Sequence, residues 1–307
     1  MTALRDTLAD YLTIRRALGY KLRAHEWALA SFVSFLERAG ASTITTELAL
    51  QWACDTRGTE GWKAARLSMV RGFAVHVRTI DPATEIPPTG LLLHRKRYAI
   101  PYIYSDDEIT LLLTEAAALT PERRAMLHST VIGLLAVTGM RISEALHLDC
   151  EDVDLEVGVL TIRNTKFGKS RQVPLHPSTV EALARYERHR EELRPRPWTQ
   201  SFFVTTRGNR PDKSNIEKVF RELRRRAGLE GARGSPKPRL HDLRHSFAVR
   251  TVTDWHRAEI DVQPRLLWLS TYLGHVEPSD TYRYLTAAPE LLALAAKRLE
   301  TTLGVLP

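Results

Sequence analysis

Arg239-Leu240-His241-Asp242-Leu243-Arg244-His245-Ser246-Phe247-Ala248 places an imidazole and a guanidinium three residues apart, at His241 and Arg244. His245 lies one turn beyond His241. On a helix these positions share a face. Such a pair suits a phosphate: the guanidinium grips two oxygens and the imidazole relays a proton. Histidines four apart also occur in zinc sites. Those need three or four ligands and are opposed by a cation between them, and no Cys or carboxylate partner stands at a recognisable spacing. Alone, the segment reads more readily as an exposed helix with ordinary cations.

Three further segments carry matching parts. Upstream, Thr138-Gly-Met-Arg-Ile-Ser-Glu-Ala-Leu146 puts Arg141 just after a glycine at the head of a helical pattern. Between the two lies Asn164-Thr-Lys-Phe-Gly-Lys-Ser-Arg-Gln-Val-Pro-Leu175. Downstream come Gly274-His275 and, nine residues later, Tyr284. In chain order this is Arg, Lys, His-x-x-Arg, Gly-His, Tyr. The set resembles the tyrosine recombinase (phage integrase) family over roughly residues 104 to 290.

The resemblance implies roles. In the family's pattern the catalytic lysine comes first, followed by a basic pair and then Val-Pro-Leu. That selects Lys166 and leaves Lys169 and Arg171 as backbone contacts. The nucleophile falls nine residues after the Gly-His histidine, at Tyr284, leaving Tyr282 as support. Arg141, His241, Arg244 and His275 complete the implied catalytic set. Glu144, one turn after Arg141, is expected to brace an arginine or the following helix.

The chain has 307 residues, enough for two domains, and its 43% hydrophobic content supports ordinary cores. Its net charge of +8 favours a polyanionic partner without requiring one. The two cysteines, Cys54 and Cys150, form no C-x-x-C motif, which fits a reducing compartment. No apolar run approaches the ~18 residues of a spanning helix, and no signal-peptide core is visible. A soluble protein, cytoplasmic and nucleoid-associated when bound to DNA, is expected.

The expected architecture is mainly α with a small antiparallel sheet (α+β). Residues 1–82 carry four amphipathic stripes and predict a helical bundle. Arg15, Arg16, Lys21, Arg23, Lys63, Arg66, Arg71 and Arg78 are expected on its outer face. By resemblance this is the core-binding (SAM-like) DNA-binding domain. Residues 83–103, broken by Pro87-Pro88, Gly90 and Pro101, read as a linker. Residues 104–307 are the catalytic domain by resemblance. Within it, Ser105 to Glu108 reads as a capping box. Strands are expected at 157–163 and 171–175, with a third at 202–206. The basic run Arg221, Arg224, Arg225 has few compensating acids and is a candidate groove or phosphate contact. Residues 289–299 form an amphipathic stripe that packs in cis or, as the resemblance implies, on a neighbouring subunit.

The implied chemistry is site-specific cleavage and rejoining of DNA through a 3′-phosphotyrosyl intermediate, with no cofactor, metal or ATP. A phenol of pKa ~10 needs a base or a strong positive field to attack near neutrality. Arginines would neutralise charge on the non-bridging oxygens, and a lysine would protonate the leaving oxygen. The implied partners are double-stranded DNA bearing a recombination site and, on it, a homotetramer of two dimers that are monomers off DNA. Accessory proteins are further candidates. The biological role, whether integration, transposition, inversion or dimer resolution, is not written in these residues. Two other readings remain open: type IB topoisomerase-like strand relaxation, and a non-catalytic DNA-binding regulator on the same scaffold.

Overall fold

The computed structural model describes residues 3–20, 22–92, 101–163, 170–193, 199–231 and 237–274. The chain divides into two compact units, 1–98 and 99–307.

Among the described residues, the first unit holds four helices: α1 (Ala3–Ala17), α2 (Arg23–Arg38), α3 (Thr46–Cys54) and α4 (Glu60–Val77). Their apolar stripes meet in one core around Leu29, Phe32, Leu36, Trp52, Val70 and Phe73. Thr45 and Thr59 cap α3 and α4 by accepting the backbone N–H groups of Leu48 and Trp62. Arg66 departs from its expected outward position. Its guanidinium lies 3.8 Å from the centroid of the Trp52 ring, and it donates to the Asp55 carbonyl. A long side chain has folded back to cover an aromatic face. Residues 83–92, expected in the linker, are stitched to this unit. Glu85 donates its N–H to Ile44 O, and its carboxylate accepts from Thr46 N. Arg71 holds the Pro87 carbonyl, and Leu92 packs on the core.

The second unit contains α5 (Asp106–Ala117), α6 (Glu122–Thr138), α7 (Ile142–Leu146), α8 (Pro177–Leu193), α9 (Lys213–Arg226), α10 (Asp242–Arg257) and α11 (Val262–Leu273). Helix α6 is apolar on several sides and packs against α5, α8 and α10. Burying a Val, Leu or Ile side chain such as Val131, Ile132 or Leu135 contributes roughly 1.5–3 kcal/mol. Helix α5 opens with the expected capping box: Ser105 Oγ accepts from Glu108 N, and the Glu108 carboxylate accepts from Ser105 N.

The sheet is antiparallel, in the order β1 (Val153–Asp154), β2 (Val159–Ile162), β3 (Arg171–Pro174). Leu160 pairs with Val173 and Ile162 with Arg171. The third strand is therefore β1 and not residues 202–206. Phe202 and Phe203 are both fully buried. Consecutive inward side chains break the two-residue alternation a strand requires. The chain there makes only an isolated bridge, Asp149 to Ser201. Among the described residues, no helix is long and apolar enough to cross a membrane.

Candidate active site

Arg141 owes its position to Gly139. That residue ends α6 with φ +61°, and a Cβ there would lie 2.5 Å from the Phe247 ring. Only glycine combines the left-handed turn with this close approach. The turn buries Met140 and leaves Arg141 as N-cap of α7, its side chain 36% exposed. Glu144, one turn on, accepts from the Arg141 backbone N–H at 2.9 Å and from Nη1 at 2.8 Å.

Arg244 arrives from α10 and points inward. Its Nη1 donates to Gly139 O at 2.8 Å and its Nη2 to Leu273 O at 2.7 Å. Arg171, at the start of β3, donates Nε to Tyr272 O at 2.7 Å. Its two terminal nitrogens straddle Glu144 at 3.1 and 2.7 Å. Arg141 Nη2 donates to Gly274 O at 3.0 Å. Three guanidiniums from three elements thus take three successive carbonyls, of Tyr272, Leu273 and Gly274, at the end of α11. The last carbonyls of a helix lack intrahelical donors and carry the negative end of its dipole. The arginines supply both hydrogen bonds and charge. Gly274, with φ +69°, caps α11 as expected.

His241 immediately precedes α10, and its ring meets that of His245 edge-on at 5.0 Å. Asp242 is fully buried and holds the turn: it accepts from Arg239 through the backbone N–H, Nε and Nη2. Ser246 Oγ accepts from Tyr104 N and donates to Asp242 O, tying α10 to the chain before α5.

The charges set protonation states. Surrounding protein, then Arg244, pushes the His241 pKa down, with Arg239 and Arg141 adding to the effect against Asp242. A neutral imidazole able to accept a proton follows. His245 falls to about 4, chiefly through burial and then His241. Burial pushes the Glu144 carboxyl up, but the bonds and charge of Arg171, followed by the hydrogen bonds of Arg141, hold it below the usual range.

The structure therefore brings together Arg141, Glu144, His241 and Arg244, drawn from residues 141 to 244. Lys166, Lys169, His275, Tyr282, Tyr284 and residues 289–299 lie outside the described residues. Two expected DNA contacts are placed differently. Arg171 is 12% exposed and committed to Glu144 and α11, because β3 runs under the end of that helix. Arg224 turns inward to the Pro238 carbonyl and Glu230, at 11% exposure, on the flank of α9. Arg221 and Arg225 stay exposed and form a stripe with Lys218, opposite the buried Ile216, Val219, Phe220 and Leu223. The Arg239–Asp242 clamp was not legible in the sequence. Its three-residue spacing was visible, but not that Asp242 is buried.

The sequence profile of the phage integrase family matches residues 104–290. The chain is 44% identical over 308 residues to a Sinorhizobium fredii protein described as "Putative integrase/recombinase y4rB", with 98% of each covered. It is 26% identical to tyrosine recombinase XerD of Bifidobacterium longum, over 95% of this chain and 94% of that one. Among solved structures, the Tn1549 transposon integrase in complex with transposon right end DNA superposes with a TM-score of 0.65 at 18% identity. That match covers 96% of this chain and 98% of the other. The XerA recombinase gives 0.53 at 22%, over 100% and 99%. At these identities the structures speak for the fold. The chain belongs to the phage integrase family, the tyrosine recombinases. Its enzymatic class is site-specific DNA recombination.

Proposed function

We propose that this protein cleaves and rejoins DNA at a specific site through a covalent bond between Tyr284 and a 3′-phosphate. The supporting observation is the convergence of Arg141 and Arg244 on the carbonyls that end α11, one residue before His275, with His241 three residues before Arg244 and close enough to feel the charge of both arginines. Tyr284 attacks phosphorus and the 5′-oxygen leaves, so one phosphoester bond forms as another breaks. His241, neutral near pH 7, takes the phenolic proton. Arg141 and Arg244, with His275, stabilise charge on the non-bridging oxygens. Lys166 gives a proton to the departing oxygen. A 5′-hydroxyl from another strand reverses the step, so the bond energy is conserved and ATP is not needed. Two guanidiniums supply the positive charge a metal would otherwise bring. The assembly is a tetramer on DNA, working in the cytoplasm. Arg221 and Arg225 contact phosphates outside the reacting centre.

A nicked suicide substrate, from which the 5′-hydroxyl end diffuses away, tests this. The wild type and Tyr282→Phe should accumulate a covalent adduct, in EDTA as well, while Tyr284→Phe binds DNA and forms none. An adduct retained by Tyr284→Phe, or lost in EDTA, would refute the assignment.

A further inference from the structure

We propose that Arg171 is a positioning residue of the cleavage site: it fixes Glu144 and the end of α11 in one register, so that Arg141 faces the phosphate with its charge intact. This rests on the phosphate-binding reading of Arg141. One buried carboxylate, Glu144, is shared by two guanidiniums. Arg171 takes both of its oxygens, and Arg141 takes one through Nη1 plus a backbone bond. Without Arg171 the full negative charge of Glu144 would fall on Arg141 and offset the cation meant for the phosphate. The same guanidinium reaches the Tyr272 carbonyl, two residues before Gly274. It also fills the space beside that glycine, where a Cβ would sit 2.8 Å from Arg171 Nη1. Arg171 thus links the helix bearing Arg141 to the chain leading into His275, while its own side chain is turned from solvent. A lysine could neutralise Glu144 but could not span both its oxygens and a carbonyl in one rigid fork.

The test compares Arg171→Ala, Arg171→Lys, Glu144→Gln and the double variant Arg171→Ala/Glu144→Gln, as full chains on a suicide DNA substrate. Site-specific binding is measured across a salt series. The double variant leaves no unpaired buried carboxylate, so it remains informative if Arg171→Ala folds poorly. Arg171→Ala is expected to cleave ~10²-fold more slowly, the scale of a small misplacement of reacting groups. Its DNA affinity and salt slope should stay as in the wild type. Arg171→Lys should fall between, and removing the Glu144 charge should return roughly tenfold of the rate lost by Arg171→Ala. A salt slope reduced by about one would make Arg171 a direct phosphate contact and overturn the proposal. So would a double variant no faster than Arg171→Ala. A wild type that forms no adduct would instead remove the parent reading, and this one with it.

Discussion

Arg221 and Arg225 of α9 and the arginines around the end of α11 are the same residue put to opposite uses. Arg221 and Arg225 stand on an exposed stripe with an apolar face behind them. Arg141, Arg171 and Arg244 are tied to backbone carbonyls and Glu144. A solvated guanidinium keeps its rotamer freedom and contributes a screened charge. An anchored one has already lost that freedom in folding, and it acts in a medium where charge is felt strongly. The first kind suits general attraction to a polyanion, and the second suits a geometry needed at one phosphorus. Charge alone therefore does not separate these two uses, whereas the hydrogen-bond partners of each cation do.

The sharpest way to break this contrast is to remove an anchored arginine. Arg244→Ala or Arg141→Ala should slow single-turnover cleavage by ~10³-fold or more, the scale for an arginine in phosphoryl transfer. DNA affinity should change much less. Arg244→Lys should be nearly as defective, since an ammonium cannot replace the fork between Gly139 and Leu273. Next is the backbone that does the anchoring. Gly139→Ala forces a side chain onto φ +61° and into Phe247, which should cost about 1–3 kcal/mol in denaturant unfolding. It should also lower cleavage, because the Gly139 carbonyl holds Arg244.

Protonation gives a smaller effect with a defined sign. The lowered His241 pKa means the base is neutral at pH 7, so cleavage should hold there and fall only as pH drops below 6.5. A rate that instead rises on acidification would contradict a neutral base. His245 is depressed to about 4 from 6.5, so the folded state binds its proton less well than the unfolded chain. Its contribution to stability is present above 6.5 and is lost as pH falls toward 4, by about 2–3 kcal/mol. His245→Asn should flatten that part of the unfolding profile. Smallest are the solvated arginines. Arg221→Ala and Arg225→Ala should each lower the salt slope of DNA binding by about one, leaving the cleavage rate of bound complex unchanged.

The sequence carried the helices and the order of the cations well, because both depend on local spacing. The stripe from Leu29 to Leu36, the box at Ser105 and Glu108, and the glycine stops at Gly139 and Gly274 are all short-range signals. What it concealed was the direction of long side chains. Arg66, Arg171 and Arg224 each sit at positions that read as outward or DNA-facing, yet each bends back to a ring, a carboxylate or a carbonyl that the fold supplies. The pair Phe202-Phe203 read as strand because aromatic residues favour strands, but burying both rings overrode that preference. The triple grip on α11 was invisible for the same reason: its acceptors are backbone atoms, which carry no sequence signature.

On the proposed mechanism, Arg141 and Arg244 act by neutralising charge on one phosphate. The most direct measurement is the cleavage rate of Arg244→Ala on two suicide substrates that differ only at the reacting linkage, one an ordinary phosphodiester and the other an uncharged methylphosphonate. The variant should be almost inert on the first and regain cleavage on the second, where the charge it can no longer balance has been removed. Equal inactivity on both would show that Arg244 holds the fold together and takes no part in stabilising the reacting phosphate.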